Sequence, residues 1–243
     1  MTIAYIEQNV DPAKGKVRPF HYRTLQAAGA VFASANGMLG PIVDRYGEGV
    51  EAETARARAL GIADLSALPR TGFKGRNALD WLGKQGVTVP AENNRSAQQP
   101  GGGFVARLAN SEAVVLGSLG LGDGLVDKLN GSWSMETADG CYQVPRQGTS
   151  FWFAVTGTEI GAMFAKICGV DLRASAFGDG AIAQTSVART NCIIIRHDLG
   201  SVPAFHVLGD SASADYMWGC LLDAMAEFAG APVGFSAVSG LLR

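Results

Sequence analysis

The sequence predicts an α+β protein in which helices pack on one face of antiparallel sheet. Two observations carry that prediction. The first is an internal echo. TGFKGRNALDWLGKQGVTV and FAVTGTEIGAMFAKICGVDL share one plan of strand, glycine, polar residues, amphipathic helix, glycine and valine, with Gly75 matching Gly157. The second lies downstream of each copy. Short β-prone segments are separated there by turn residues, which is the pattern of hairpins and not of βαβ crossovers.

The elements are taken in chain order. Residues 1–27 are polar and mixed, with Pro12, Gly15 and Pro19, and predict an irregular N-terminal arm ahead of one domain over residues 28–243. Val50 to Leu60 is alanine-rich and free of breakers, a helix with Gly61 as its C-cap. Gly61 to Gly75, GIADLSALPRTGFKG, is a buried strand, a polar break and a second strand. Pro90 to Gly103 lacks apolar periodicity and ends in three glycines, so a surface loop is expected. Phe104–Ala109 and Ala113–Leu116 are strands joined by an Asn-Ser turn, and Ser150–Val155 is a third. Ile160, Met163, Phe164, Ile167 and Cys168 fall at helical spacing, with Thr156 and Glu159 in capping-box positions and Gly169 as the stop. Ala181–Arg189 and Cys192–Arg196 form a hairpin, Ala204–Leu208 a further strand, and Tyr216–Phe228 the last helix.

Composition narrows the function classes. The 243 residues are 47% hydrophobic and 17% charged, with a formal net charge of −2 and no basic block, which argues against a nucleic-acid partner. So low a charge fraction points to surface covered by partner subunits. No basic-then-apolar leader opens the chain and no run of eighteen apolar residues occurs, so neither secretion nor a membrane span is expected. Cys141, Cys168, Cys192 and Cys220 are widely spaced in apolar surroundings, as buried reduced thiols of a cytoplasmic protein would be.

Two stretches resemble a known family. GAVFASANGMLGPIVDRYG followed by EAETARARALGIADLSALPRTGFKG resembles the start of the aminomethyltransferase (glycine-cleavage T-protein) family. QTSVARTNCIIIRHD and PAFHVLGDSASADYMWGCLLDAMAEFAG are similar to the gamma subunit of heterotetrameric sarcosine oxidase, a branch of that superfamily. The resemblance runs from about Gly29 to Gly230 and implies the aminomethyltransferase-like folate-binding fold. It also implies which positions matter. Where the family strand GGILDDLIV carries its aspartates, this chain has GGFVARL, with Ala106 and Arg107. The family asparagine of VVxNA falls near Leu116 and Gly117, and RTGYTGExG becomes RTNCIIIRHD from Arg189 and Thr190, without its glutamate. A pterin ring needs a buried carboxylate on its amino-pyrimidine edge, and losing one such bond costs about 1.5–3 kcal/mol.

The resemblance therefore implies a non-catalytic gamma-type subunit of a sarcosine oxidase or related N-methyl amine oxidase. Its expected partners are the alpha, beta and delta subunits. FAD, FMN, NAD and tetrahydrofolate are expected in those partners and none in this chain. No catalytic, cofactor-binding or metal residue is expected here. The alternative is a stand-alone tetrahydrofolate-binding protein of the same superfamily.

The remaining polar residues have structural readings. Asp64 and Ser66 are expected to turn the chain after a strand, and Arg70 to pair with a carboxylate at a strand edge. His21, His197 and His206 match no zinc spacing, and His197-Asp198 lacks a GxSxG nucleophile elbow. GSLGLGDG has dinucleotide-loop spacing but no βαβ unit around it.

Overall fold

The structure is a computed structural model that describes residues 5–15, 17–121 and 124–242. The chain begins with β1 (Tyr5–Gln8), α1 (Tyr22–Ala27), β2 (Val31–Ala35), β3 (Ile42–Arg45) and α2 (Val50–Leu60), which runs directly into β4 (Gly61–Asp64). A first unit comes next: β5 (Arg70–Lys74), α3 (Ala78–Lys84), β6 (Arg95–Gln98), β7 (Phe104–Ala109), β8 (Glu112–Leu116) and α4 (Leu125–Ser132). The strand β9 (Tyr142–Val144) leads to a second: β10 (Ser150–Thr156), α5 (Ile160–Phe164), β11 (Ile182–Val187), β12 (Thr190–Arg196), β13 (Ala204–Asp210) and α6 (Ala214–Met225). The chain ends with β14 (Ala231–Pro232) and α7 (Phe235–Gly240).

The internal echo is a structural repeat. Among the described residues, one sheet has the order β6-β7-β8-β5-β9 and another β11-β12-β13-β10-β4-β14, with β1-β2-β3 as a small third sheet. The first five strands of the two large sheets match in order, β14 being an addition to the second, and in each the strand before the glycine pairs with the last strand of its own unit. The fifth strand is exchanged. β4 directly precedes β5 in the chain but pairs antiparallel with β10, while β9 precedes β10 and pairs antiparallel with β5. Each unit therefore completes the other's sheet. At the opposite edges the sheets are stitched together, Ser96 N donating to Gly180 O at 2.8 Å and Ile182 N to Asn94 O at 3.0 Å.

Alternation along the strands sorts the core into layers. Phe151, Phe153, Val155, Ile194 and Val207 face α5 and α6, meeting Phe164, Met217, Trp218 and Leu221. Phe73, Val105, Ala113 and Val115 face α3 and α4, meeting Trp81, Leu82 and Leu129. The intervening positions of both sheets, including Trp152, Ile195 and Leu208 against Phe104, Ala106 and Leu116, form a third cluster between them. The result is helix, sheet, sheet, helix, with helices on one face of each large sheet.

Several local expectations are corrected. Over its described residues, 5–15 and 17–27, the N-terminal arm is not irregular, residues 1–4 and 16 lying outside the described ones: β1 pairs with β2, Leu25 in α1 is fully buried, and His21 packs against Trp218 with ring centroids 4.8 Å apart. A few buried anchors suffice to dock it, and such anchors leave no periodic signal. The expected loop over residues 90–103 contains β6, whose side chains are mostly solvated and so do not alternate. The helix after Thr156 is shorter, Ile160–Phe164, and its capping box does not form because Thr156 ends β10 and donates to Ala57 O at 2.8 Å. Gly61 is the C-cap of α2 as expected, but it is extended, with φ −127° and ψ 155°, because it also starts β4. No helix among the described residues is long and apolar enough to cross a membrane.

Candidate functional site at the inter-sheet cleft

The cleft between the two large sheets is built in rows. Deepest on the six-stranded sheet lie Ala154, His206, Ile195 and Ile182, which the registers place side by side. The next row is Trp152, Leu208, Ile193 and Gln184. One step further out, Ser150 opposes Asp210 and Ser186 opposes Asn191. Side chains thus pass from apolar to polar within two steps of the same strands.

The inner end is filled. Trp152 Nε1 donates to His206 Nδ1 at 2.9 Å, which leaves the imidazole proton on Nε2. Phe104 lies against His206, with centroids 4.9 Å apart, and stacks on His197 at 4.4 Å. Burial, helped by the nearby His197, pulls His206 down to about 3, so the folded protein holds it neutral. Burial also lowers His21 and His197, against the opposing pull of Asp64 and Asp215 on the first and of Asp179 and Asp198 on the second.

This burial makes stability depend on pH. His206 is neutral when folded but titrates near 6.5 when unfolded. Its stabilising contribution is complete above pH 6.5 and is lost as pH falls towards 3. At pH 5 the loss is about 2 kcal/mol. Chemical denaturation at pH 7.5 and 5.0 should show that loss, and His206→Gln should flatten the dependence by the same amount. An equal slope in the variant would remove His206 as its source.

The outer end is open. A cavity of about 560 Å³ sits over the two outer rows, roofed on one side by Arg146. Arg146 lies across the inner face of β5 at Gly72, where a β-carbon would stand 3.1 Å from Nε and 3.2 Å from Cγ. Its Nη2 donates to Glu112 at 2.6 Å, and Lys74 reaches the other oxygen of Glu112 at 3.1 Å. Ser150 Oγ donates to the Arg146 carbonyl at 2.8 Å, holding the turn that carries the arginine. Asp210 Oδ1 accepts from Ala212 N at 2.8 Å, and Gln184 Nε2 donates to Asn94 Oδ1 and Leu108 O, both at 2.8 Å. None of Arg146, Asp210 and Gln184 stands out in the sequence. The signal that finds Asp210 and Gln184 is the apolar-to-polar change shared by the adjoining ends of β10, β11, β12 and β13; Arg146, in the turn before β10, has no such signal.

The residues singled out in the sequence lie elsewhere. Asp64 accepts Ser66 N at 2.8 Å and Ser66 Oγ accepts Trp152 N at 3.0 Å, so both build the turn and tie it to β10. Arg70 does not pair with a carboxylate. Its guanidinium is fully buried and donates to the carbonyls of Ser66 at 2.8 Å, Leu68 at 3.0 Å and Ser150. Burial lowers it to about 10, Asp64 offsetting part of that, so it stays charged at neutral pH. In GSLGLGDG, Ser118 Oγ accepts Gly120 N at 3.0 Å, and Gly122 and Asp123 lie outside the described residues. Among the described residues no cluster of three or more His, Cys, Asp or Glu is placed to hold a metal ion.

Two solved structures share this architecture. The glycine cleavage system aminomethyltransferase T of Bartonella henselae superposes with a TM-score of 0.67 at 17% identity, over 92% of this chain and 61% of that one. A chain of heterotetrameric sarcosine oxidase from Corynebacterium sp. U-96 superposes with a TM-score of 0.57 at 21% identity, over 74% of this chain and 92% of that one. This chain has the aminomethyltransferase-like fold. It spans about three-fifths of the length of the Bartonella protein. No protein-family model and no curated protein matches it.

The positions that the sequence resemblance singles out lie within this fold as follows. Ala106 and Ile195, the latter at the glutamate position of the hairpin motif, are both fully buried and face the apolar cluster between the sheets. Gly117 donates its amide to Pro69 O at 2.9 Å and has no space for a β-carbon, which would lie 2.9 Å from the proline. Arg107 turns away, donating to Asn93 Oδ1 and to the carbonyls of Pro90 and Ala91. From these positions no carboxylate and no carboxamide enters the cleft. They do not fit a pterin ring, whose amino-pyrimidine edge needs such an acceptor.

Proposed function

We propose that this chain is an accessory, non-catalytic subunit of a heterotetrameric sarcosine oxidase or a related N-methyl amine oxidase, of gamma type. The observation that carries the reading is the cleft itself: at positions where the resemblance puts polar residues, Ala106 and Ile195 are packed shut in one cluster with Trp152 and Phe104, and Gly117 is closed against Pro69. A fold kept intact around a filled site is what a scaffold subunit requires. The superposition on nearly the whole of a sarcosine oxidase chain supports the same reading, because that relative needs little beyond this fold. In this assembly the alpha, beta and delta subunits hold FAD, FMN, NAD and tetrahydrofolate, and the complex works in the cytoplasm.

Co-expression with candidate flavoprotein subunits from the same host, followed by size-exclusion chromatography, tests this. The expected result is one stoichiometric peak that carries flavin absorbance and oxidises the N-methyl amine. If the chain elutes alone while those subunits assemble into an active oxidase without it, the subunit reading is wrong. Titration of the isolated chain with tetrahydrofolate is expected to show no tight binding. A low-micromolar constant, about −8 kcal/mol, would favour a stand-alone folate-binding protein instead.

A further inference from the structure

We infer that the open end of the inter-sheet cleft is a binding site for a free α-amino acid with a large apolar side chain. Three observations point to that class. The cavity, about 560 Å³, is in the range that encloses small molecules and exceeds what a glycine-sized ligand would fill. Its floor is apolar, made by Ile193 and Leu208 from adjoining strands. Its rim carries one cation and one anion, Arg146 and Asp210, set on either side of Ser150 by the turn that Ser150 closes and by its pairing with Asp210.

The charges are placed for a zwitterion. Glu112 is shared between Lys74 and Arg146, so the three together keep a net positive charge next to the cavity. A ligand carboxylate answers it, through a charge-assisted bond to the guanidinium. Asp210 uses Oδ1 to cap Ala212, and its Oδ2 is available to a ligand ammonium group. Gly72 is part of the construction. Its backbone needs no left-handed conformation, yet a β-carbon there would stand 3.1 Å from Nε and crowd the Arg146 side chain, so the glycine leaves room for the arginine against β5. The amide of Gln184 and the hydroxyl of Ser186 complete the polar wall beside the floor. The site belongs to this chain alone and does not depend on the subunit reading.

The test uses the full chain and isothermal titration with L-phenylalanine, together with two analogues. Phenethylamine lacks the carboxylate and 3-phenylpropionate lacks the amine. The expected result is saturable binding of L-phenylalanine, with each analogue about tenfold to a hundredfold weaker. Arg146→Gln should remove the preference for phenylalanine over phenethylamine, and Asp210→Asn the preference over 3-phenylpropionate. Because Arg146 also pairs with Glu112, Asp210→Asn, which keeps a capping oxygen, decides the matter should Arg146→Gln fold poorly. No binding of L-phenylalanine, or of L-leucine, up to millimolar concentration would overturn the proposal. So would equal affinity for the amino acid and both analogues.

Discussion

Gly157→Ala is expected to destabilise the protein by at least ~3 kcal/mol, and Gly75→Ala by a similar amount. Gly157 follows β10 with φ +117°, and an added β-carbon would stand 2.2 Å from the carbonyl oxygen of Ala59. Gly75 follows β5 with φ +133°, and its β-carbon would stand 2.2 Å from the carbonyl oxygen of Gly140. In both units the obstructing carbonyl is also a hydrogen-bond acceptor for the residue two places on, Glu159 N to Ala59 O and Asn77 N to Gly140 O, each at 3.1 Å. The contact cannot relax without losing that bond. At the second unit more is at stake, since Thr158 N also bonds Arg58 O at 3.1 Å and the last carbonyls of α2 are satisfied by the entry to α5. Gly83, inside α3 with open space at its β-carbon, is the control, and Gly83→Ala should stabilise by about 0.5–1 kcal/mol. Urea midpoints compared across the three variants check this. A Gly157→Ala or Gly75→Ala protein as stable as the parent would mean that the glycine turn is not where the structure puts it.

That pair of glycines also shows why part of the fold is legible in the sequence. The turn is local: strand, glycine and helix lie close together in the chain, so the echo is printed there. What each turn leans on is not local. Nothing around Gly75 names Gly140, and nothing around Gly157 names Ala59. The strand exchange is hidden for the same reason: β4 reads as a buried strand without saying which unit it completes, and the three residues of β9 carry no strand signal of their own. β6 escapes sequence reading because its side chains are mostly solvated and it is held through edge contacts with the second unit. Arg70 invites a carboxylate because isolated cations usually find one, but a tight turn and a neighbouring strand offer three carbonyls instead. The candidate site is the least legible. Its polar rim comes from single residues at the ends of different strands, and only the registers bring Ser150, Asp210, Asn191 and Ser186 together.

Glu53→Ala is expected to cost about 3–5 kcal/mol, the range for removing one partner from a buried charge-bonded group. Its position in VEAETARARAL looks like a solvated helix face, yet the residue has no exposed surface. Each carboxylate oxygen serves a different segment. Oε1 accepts Tyr46 N from the loop after β3, and Oε2 accepts Gly234 N from the start of α7, both at 2.6 Å. The glutamate therefore bolts α2 to two stretches that lie far apart in the chain. Space there is already exhausted, because a β-carbon at Gly234 would stand 2.0 Å from Asp44 O. Alanine would leave the buried amide of Gly234 and the partly buried amide of Tyr46 without their acceptor. Glu53→Gln keeps one carbonyl oxygen, serves one amide and presents its NH₂ to the other, so it should cost about 1–3 kcal/mol. The ordering matters as much as the size. Guanidinium denaturation should place the glutamine variant between the parent and the alanine variant, and amide exchange at Tyr46 and Gly234 should accelerate in both. If alanine proves no worse than glutamine, the two amides have other acceptors, and Glu53 is not what joins α2 to α7.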